Sequence, residues 1–195
     1  MQNICLIIGA GAGVGGNVAK VFADDGYHVY LTRRSDESGL KKLIDTINAS
    51  GGKASGKLMN AIKDNTIEDL IHEVEKDLGP ISVVVYNLGA QIGNKKLEDL
   101  TLKQFDLGLK MGTVGIFRLS KTLFPYMVKR GEGTLIATSS TASVRGNRGQ
   151  HSHAAAMGAR RMLCQTLNDE FSIKGIHIVH AIIAVSYTHL RAHET

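Results

Sequence analysis

Short apolar runs alternate along this chain with apolar stripes at helical spacing. Residues 4–8 and 81–86 are nearly unbroken apolar runs, which parallel strands form when both faces of a sheet are covered. Residues 67–78 instead repeat apolar side chains every three or four positions, as one face of a helix does. The alternation continues to about residue 185, so the pattern predicts an α/β protein.

This alternation also predicts the architecture. Parallel strands joined by helices need right-handed crossovers, which place helices on both faces of one sheet and ligands at the carboxyl ends of the strands. We therefore predict a Rossmann-type, doubly wound parallel sheet flanked by helices, in a single domain. The predicted strands are residues 4–8, 27–31, 53–59, 81–86, 133–138 and 176–185, and the predicted helices are residues 14–24, 40–47, 67–78, 102–129 and 151–173.

The longest predicted helix, residues 102–129, is apolar around most of its circumference. Leu119 and Leu123 lie on one broad face, whereas Val114 and Phe117 lie elsewhere. One sheet cannot cover all of these side chains. Such a helix is either deeply buried or also packed against a partner subunit, so we expect a homodimer or homotetramer.

A glycine-rich loop joins the first predicted strand to the first predicted helix. Glycine lets backbone amides approach a phosphate closely, and the helix N-terminus presents unpaired N–H groups and a positive dipole end. Gly11, Gly13 and Gly16 match the spacing G-x-G-x-x-G. Gly9, Gly13 and Gly15 match the wider G-x-x-x-G-x-G. Either register predicts that the loop holds the pyrophosphate of a dinucleotide.

Thr32, Arg33 and Arg34 follow the second predicted strand, where an NAD-binding protein usually has an acidic residue for the ribose hydroxyls. Two guanidinium groups at this point suit a 2′-phosphate, because arginine donates paired, charge-assisted hydrogen bonds to phosphate oxygens. The sequence therefore predicts NADP rather than NAD. The alternative is that both are ordinary surface arginines.

Composition excludes several classes of protein. The chain has 195 residues, 43% of them hydrophobic, and its net charge of +5 comes from scattered basic residues, so we expect no nucleic-acid surface. We expect no membrane association, because no apolar run approaches a membrane span and no N-terminal signal is recognisable. Cys5 and Cys164 fit no disulfide framework or metal-binding spacing. We expect two buried thiols, no metal site and a cytoplasmic protein.

Residues 186–195 break the pattern. Their sequence, SYTHLRAHET, has neither helical nor strand periodicity and looks like a translated cloning or sequencing-adaptor segment. We therefore expect residues 1–185 to form the dinucleotide-binding domain, C-terminally incomplete, and residues 186–195 to be a non-native tail. The two histidines of the tail are left out of the site predictions for the same reason.

Further motifs follow the fourth and fifth predicted strands. Asn87, Leu88 and Gly89 follow the fourth strand, and Ser140 follows the fifth and precedes a helix. With the glycine loop, these motifs have the order and spacing of the short-chain dehydrogenase/reductase family, which residues 1–185 resemble. The resemblance implies a Rossmann fold and a nicotinamide cofactor. With the loop and the arginines, the expected cofactor-binding residues are Gly9, Gly11, Gly13, Gly15, Arg33, Arg34, Asn60, Asn87 and Gly89.

The family's catalytic positions are only partly retained. Family members carry a tyrosine thirteen residues after the serine and a lysine four residues later; counted from Ser140, these positions hold His153 and Met157. A further active-site asparagine of the family corresponds to Gly112. In the family the tyrosine protonates the developing alkoxide, and the lysine lowers the tyrosine pKa and holds the nicotinamide ribose. The serine binds the carbonyl oxygen, and the asparagine positions a water.

His153 is the residue that we expect to replace the tyrosine. An imidazole, with a pKa of about 6.5, exchanges protons near neutrality without a cationic neighbour. Met157 removes a cation that would repel an imidazolium, although it cannot hold the ribose. The alternative for His153 is a role in packing or in capping the helix.

Two functions remain. The first is an NADP-dependent oxidoreductase that transfers hydride between nicotinamide and a small carbonyl or alcohol substrate, with Ser140 and His153 as catalytic residues. The alternative is a non-catalytic nucleotide-binding protein, a pseudoenzyme with a role in sensing or assembly. The retained Ser140 favours the enzyme, and the lost tyrosine, lysine and asparagine favour the alternative. We predict the enzyme.

Overall fold

The computed structural model describes residues 3–90 and 92–184. In these ranges strands and helices alternate as the apolar pattern predicts. The strands are β1 (Ile4–Ile8), β2 (His28–Arg33), β3 (Lys53–Leu58), β4 (Ile81–Tyr86), β5 (Gly133–Ser140) and β6 (Ile176–Ile183), and the helices are α1 (Val14–Asp24), α2 (Glu37–Ala49), α3 (Thr66–Asp77), α4 (Leu102–Leu109), α5 (Gly115–Arg130) and α6 (His151–Phe171).

The strands form one parallel sheet in the order β3-β2-β1-β4-β5-β6. The order reverses between β1 and β4, so the connections on the two sides of that point wind in opposite directions along the sheet. The predicted Rossmann-type, doubly wound, single-domain fold is confirmed. The reversal opens a crevice at the carboxyl ends of β1 and β4, where open sheets of this kind bind ligands.

The two faces of the sheet carry different helices, because successive side chains of a strand point in opposite directions. On one face, Leu6 of β1 belongs to a buried cluster with Leu119 of α5 and Cys164 of α6. On the other face, Ile7 belongs to a cluster with Ala19 of α1 and residues of α2. Both faces are therefore covered, which explains why β1 and β4 are almost entirely apolar.

The long helix predicted for residues 102–129 is not a continuous α-helix. Residues Lys110–Val114 form a π-helical turn between α4 and α5, here called the π turn. The Tyr86 hydroxyl donates a hydrogen bond to the Met111 carbonyl oxygen in this turn at 2.7 Å. A Cβ on Gly115 would overlap that hydroxyl, so glycine is required there. Turns of this kind frequently occur at functional sites.

Strand ends near the crevice also differ from the prediction. β2 and β5 each continue two residues further than expected, to Arg33 and Ser140, because both stay paired with a neighbouring strand. The last strand, predicted for residues 176–185, ends at Ile183. The predicted tail, residues 186–195, lies outside the described residues. No helix in the described ranges is long and apolar enough to cross a membrane.

Candidate active site

The glycines of the loop between β1 and α1 fall into two groups. Gly9 has a φ of +97°, and a Cβ there would lie 2.7 Å from the Asn87 carbonyl oxygen. A Cβ on Gly15 would overlap the Gly9 carbonyl oxygen. A Cβ on Gly11 or Gly13, in contrast, would have no neighbour within 4 Å. Gly9 and Gly15 therefore shape the loop, whereas Gly11 and Gly13 border open space.

Alanine substitutions should separate these two roles. Gly15→Ala is expected to destabilise the protein by about 1–3 kcal/mol, because the added methyl group forces backbone to move. Gly11→Ala is expected to leave the free energy of unfolding nearly unchanged and to weaken dinucleotide binding, because its methyl group occupies the space beside the loop. Chemical denaturation and calorimetric titration with NADPH measure the two effects. Equal destabilisation by both substitutions would contradict this division.

Two adjoining cavities lie at the carboxyl ends of the strands. Their volumes are about 480 Å³ and about 200 Å³, and both are lined by Gly9, Leu88 and Gly89. Every site residue predicted from the sequence lines one of them. The larger cavity contains Gly9, Gly11, Gly13, Gly15, Asn87, Gly89, Ser140 and His153, and the smaller contains Gly9, Arg33, Arg34, Asn60 and Gly89.

Asn87 ties three strand ends together at the larger cavity. Its Nδ2 donates to the Gly9 carbonyl oxygen at 2.9 Å, and its Oδ1 accepts from Thr138 Oγ1 at 2.8 Å. Its main-chain amide donates to the Ile8 carbonyl oxygen at 2.8 Å. The Asn87 side chain therefore holds the glycine loop against β4 and β5.

Arg33 is held by the protein, whereas Arg34 is exposed. Arg33 Nε donates to the Ala10 carbonyl oxygen at 2.5 Å, and its Nη1 donates to the Asp36 carboxylate at 2.6 Å. Asp36 also accepts from the Gly39 amide, and that bond is the main cause of its lowered pKa. This carboxylate, which no motif of the sequence indicated, lies beside the position predicted for a 2′-phosphate.

Ser140 and His153 meet in the larger cavity. Ser140 ends β5, and its Oγ lies 3.0 Å from Nε2 of His153 in the first turn of α6. Ser140 Oγ also accepts from the Ala142 amide at 3.3 Å. His153 is only 7% exposed, and its Nδ1 is buried without a hydrogen-bond partner in the described part of the chain. Nε2 is therefore the ring nitrogen placed to exchange a proton with Ser140.

Comparison with known proteins agrees with this geometry. A family model described as short chain dehydrogenase matches residues 3–195. The chain belongs to the short chain dehydrogenase family. This is a family of oxidoreductases, which supports the first of the two functional hypotheses over the non-catalytic alternative.

Relatives and solved structures give the same result. The 3-oxoacyl-acyl-carrier-protein reductase FabG of Thermotoga maritima is 27% identical over 179 residues, 90% of this chain and 70% of that protein. A short-chain dehydrogenase structure from Rhodopseudomonas palustris is 28% identical, with a TM-score of 0.88 over 93% of this chain and 84% of that chain. A gluconate 5-dehydrogenase from Burkholderia cenocepacia in complex with NADP and tartrate shares the fold, with 23% identity and a TM-score of 0.85 over 94% of this chain and 72% of that chain.

The two positions that the resemblance assigns to the family's lysine and asparagine hold packing contacts between α6 and its neighbours. Met157, at the lysine position, is 1% exposed, and its sulfur accepts a hydrogen bond from Ser139 Oγ at 3.6 Å. At the asparagine position, a Cβ on Gly112 would lie 2.6 Å from the Cβ of Ala156. An asparagine side chain has no room there, because α6 packs directly on the π turn.

Arg160 is a site residue that the sequence analysis missed. It is 1% exposed, lies seven residues after His153 on α6 and lines the larger cavity. Met157 stands where the resemblance implies a lysine, but a different cation, Arg160, still acts on His153. Burial first, and then the charge of Arg160, hold the pKa of His153 below its usual value. The sequence did contain a signal, because Arg160 falls on the buried stripe with Met157 and Cys164, where a cation is unusual.

Proposed function

We propose that the protein is an NADP-dependent oxidoreductase acting on a small carbonyl or alcohol substrate, with Ser140 and His153 as its catalytic residues. The observation that carries this proposal is the 3.0 Å contact between Ser140 Oγ and His153 Nε2, in a cavity that extends from the glycine loop. A bound nicotinamide would supply or accept the hydride. The chain itself then has to orient the substrate oxygen and move one proton.

Ser140 and His153 divide that work. The Ala142 amide helps to fix Ser140 Oγ, which is placed to donate a hydrogen bond to a substrate carbonyl oxygen. The proton leaves His153 at Nε2, through or beside the serine hydroxyl, and reaches the oxygen as it becomes an alkoxide. In the opposite direction the neutral imidazole receives the proton of the alcohol. General acid–base chemistry of this kind needs no further titratable group in contact with the substrate.

Turnover of NADPH with a panel of ketones and aldehydes tests the proposal. We expect oxidation of NADPH that depends on the carbonyl compound, and matched reduction of NADP with the corresponding alcohols. Anionic and neutral substrates should both be included in the panel. Tight binding of NADPH without turnover of any carbonyl compound would instead support the non-catalytic hypothesis.

The smaller cavity supports NADP as the cofactor. Arg33 and Arg34, at the end of β2, line it together with Asn60, which follows β3. An unpaired carboxylate at Asp36 would favour NAD, because it would repel the 2′-phosphate of NADP. The Asp36 carboxylate is paired with Arg33 at 2.6 Å, and this pairing reduces the repulsion. The gluconate 5-dehydrogenase neighbour was solved in complex with NADP, which agrees with this proposal.

We also infer a homodimer or homotetramer. Phe117 of α5 and Met162 of α6 are each 53% exposed, and Val114 of the π turn is 43% exposed. These apolar side chains favour burial against a second copy. Sedimentation velocity should show an oligomer of the wild type that dissociates in Phe117→Glu, whereas a monomeric wild type would contradict the inference.

The two cysteines agree with a cytoplasmic location, which is likewise proposed. Cys5 and Cys164 are both free and buried, as the sequence predicts. Burial raises the pKa of the Cys164 thiol to about 11, so this thiol stays protonated and unreactive. Neither cysteine contributes to the proposed chemistry.

A further inference from the structure

The guanidinium of Arg160 is a buried cation. Arg160 is 1% exposed, and within residues 3–90 and 92–184 no carboxylate lies within ion-pair distance of it. Burial lowers its pKa to about 10, so it remains charged at neutral pH. A buried charge is unfavourable unless polar groups surround it. The surrounding groups must therefore offset its loss of hydration.

Three main-chain carbonyl groups do so. Arg160 Nε donates to the Gly112 carbonyl oxygen at 2.6 Å, and Nη2 donates to the Leu88 carbonyl oxygen at 2.7 Å. Nη1 donates to the Thr138 carbonyl oxygen. The guanidinium carbon also lies 5.3 Å from the centre of the Tyr86 ring, within the range of a cation–π contact. Each of the three guanidinium nitrogens, Nε, Nη1 and Nη2, therefore donates a hydrogen bond.

Two of the three carbonyl groups belong to residues that line the larger cavity, Leu88 and Thr138, and the third belongs to Gly112 of the π turn. Leu88 lies in the loop that both cavities share. Thr138 precedes Ser140 by two residues in β5, and the third carbonyl belongs to the π turn. Arg160 itself lies on α6, the helix that carries the proposed acid–base residue. The Arg160 side chain therefore connects four elements: the loop after β4, strand β5, the π turn and helix α6.

We propose that Arg160 is a positioning residue for the Ser140–His153 pair, an assignment that rests on the function proposed above. Its fork of donors holds the end of β5 and helix α6 at the separation that gives the 3.0 Å contact. Its charge adds to the effect of burial in favouring the neutral form of the imidazole. A lysine could not replace it, because an ammonium is a point charge on a flexible stem and lacks the planar fork.

Other titratable groups lie on the elements that pack against α6, but they do not account for the state of His153. The lowered pKa of His153 comes from burial and then from Arg160. The other titratable side chains of these elements are Lys103, Asp106, Lys110, Lys174, His177 and His180. Replacing Arg160 therefore removes the main charge effect on the histidine.

Two substitutions separate the charge of Arg160 from its geometry. Arg160→Met removes both, Arg160→Lys keeps the charge alone, and Arg161→Met is the matched control on the same helix. NMR titration of the His153 ring in the cofactor-free protein should show its pKa rising toward the usual value in Arg160→Met. The pKa should stay low in Arg160→Lys and in Arg161→Met. This measurement needs no substrate.

Steady-state kinetics test the positioning role. Both Arg160 variants are expected to lose about a hundredfold in kcat with a smaller change in KM, because a misplaced catalytic pair costs on that order. Arg161→Met should keep the wild-type kcat. Thermal unfolding of each variant shows whether it is folded, and Arg160→Gln, which is uncharged but polar, replaces Arg160→Met if that variant does not fold.

Failure of the positioning role, failure of the charge effect and failure of the proposed function give different results. Wild-type kcat in Arg160→Lys would overturn the positioning role. A wild-type pKa of His153 in Arg160→Met or Arg160→Gln would overturn the charge effect. If the wild type turns over no carbonyl compound, the proposed function fails, and the NMR titration still decides whether Arg160 acts on His153.

Discussion

His153→Ala is expected to lower kcat by about 10²–10⁴-fold, the range that positioned acid–base groups contribute. The dissociation constant for NADPH should change little, because the imidazole is proposed to act only in proton transfer with Ser140. Steady-state kinetics and calorimetric titration of the same preparation measure both quantities. His151→Ala is the matched control, because His151 lies two residues earlier on α6 and is half-buried. That control should keep the wild-type kcat.

The pH profile of the wild type should report the same residue. Carbonyl reduction needs the imidazolium form, and burial together with Arg160 lowers the pKa of His153. The reduction rate is therefore expected to rise as the pH falls and to level off below the usual histidine value of about 6.5. Alcohol oxidation needs the neutral form, so its rate should rise with pH and level off above the lowered pKa. Unchanged turnover and an unchanged profile in His153→Ala would show that the histidine only packs.

Arg33→Ala and Arg34→Ala are expected to weaken NADPH binding by about ten- to a hundredfold for each lost charge-assisted contact. NADH binding should change little, because NADH lacks the 2′-phosphate. Calorimetric titration of both cofactors into the wild type and the two variants measures the effect. Lys42→Ala, which removes an exposed cation from α2, controls for the general positive charge of the surface. Equal affinity of the wild type for both cofactors would contradict NADP preference.

Asp36 provides a second check on the same site. Its carboxylate pairs with Arg33 and caps α2 through the Gly39 amide. Asp36→Asn retains a side chain that caps helices well, so stability should change little. Without the negative charge, NADPH binding should strengthen and NADH binding should weaken. The opposite result would show that Asp36 serves mainly to orient Arg33.

The sequence by itself determined the fold class and the place of the candidate site. The predicted bounds of β1 and β4 agree with the observed strands, Ile4–Ile8 and Ile81–Tyr86. They are readable because each strand is buried on both faces, so burial appears as a continuous local run. The glycine loop could also be predicted, because the spacing of its glycines is a local feature of the sequence. Since parallel strands all end at one edge, these local signals also placed Ser140 and Asn87 together.

Only the tertiary structure decided which residues contact and hydrogen-bond one another in the candidate site. The backbone atom that a Cβ on Gly9 would meet belongs to Asn87, which is distant in sequence. The π turn depends on side chains from β4 and α6 that reach its carbonyl groups. Arg160 donates hydrogen bonds to the carbonyl oxygens of Thr138, Gly112 and Leu88, which are separated from it by 22, 48 and 72 positions in the sequence. No local period encodes such contacts, because the stability of a buried charge depends on which polar groups the folded chain brings around it.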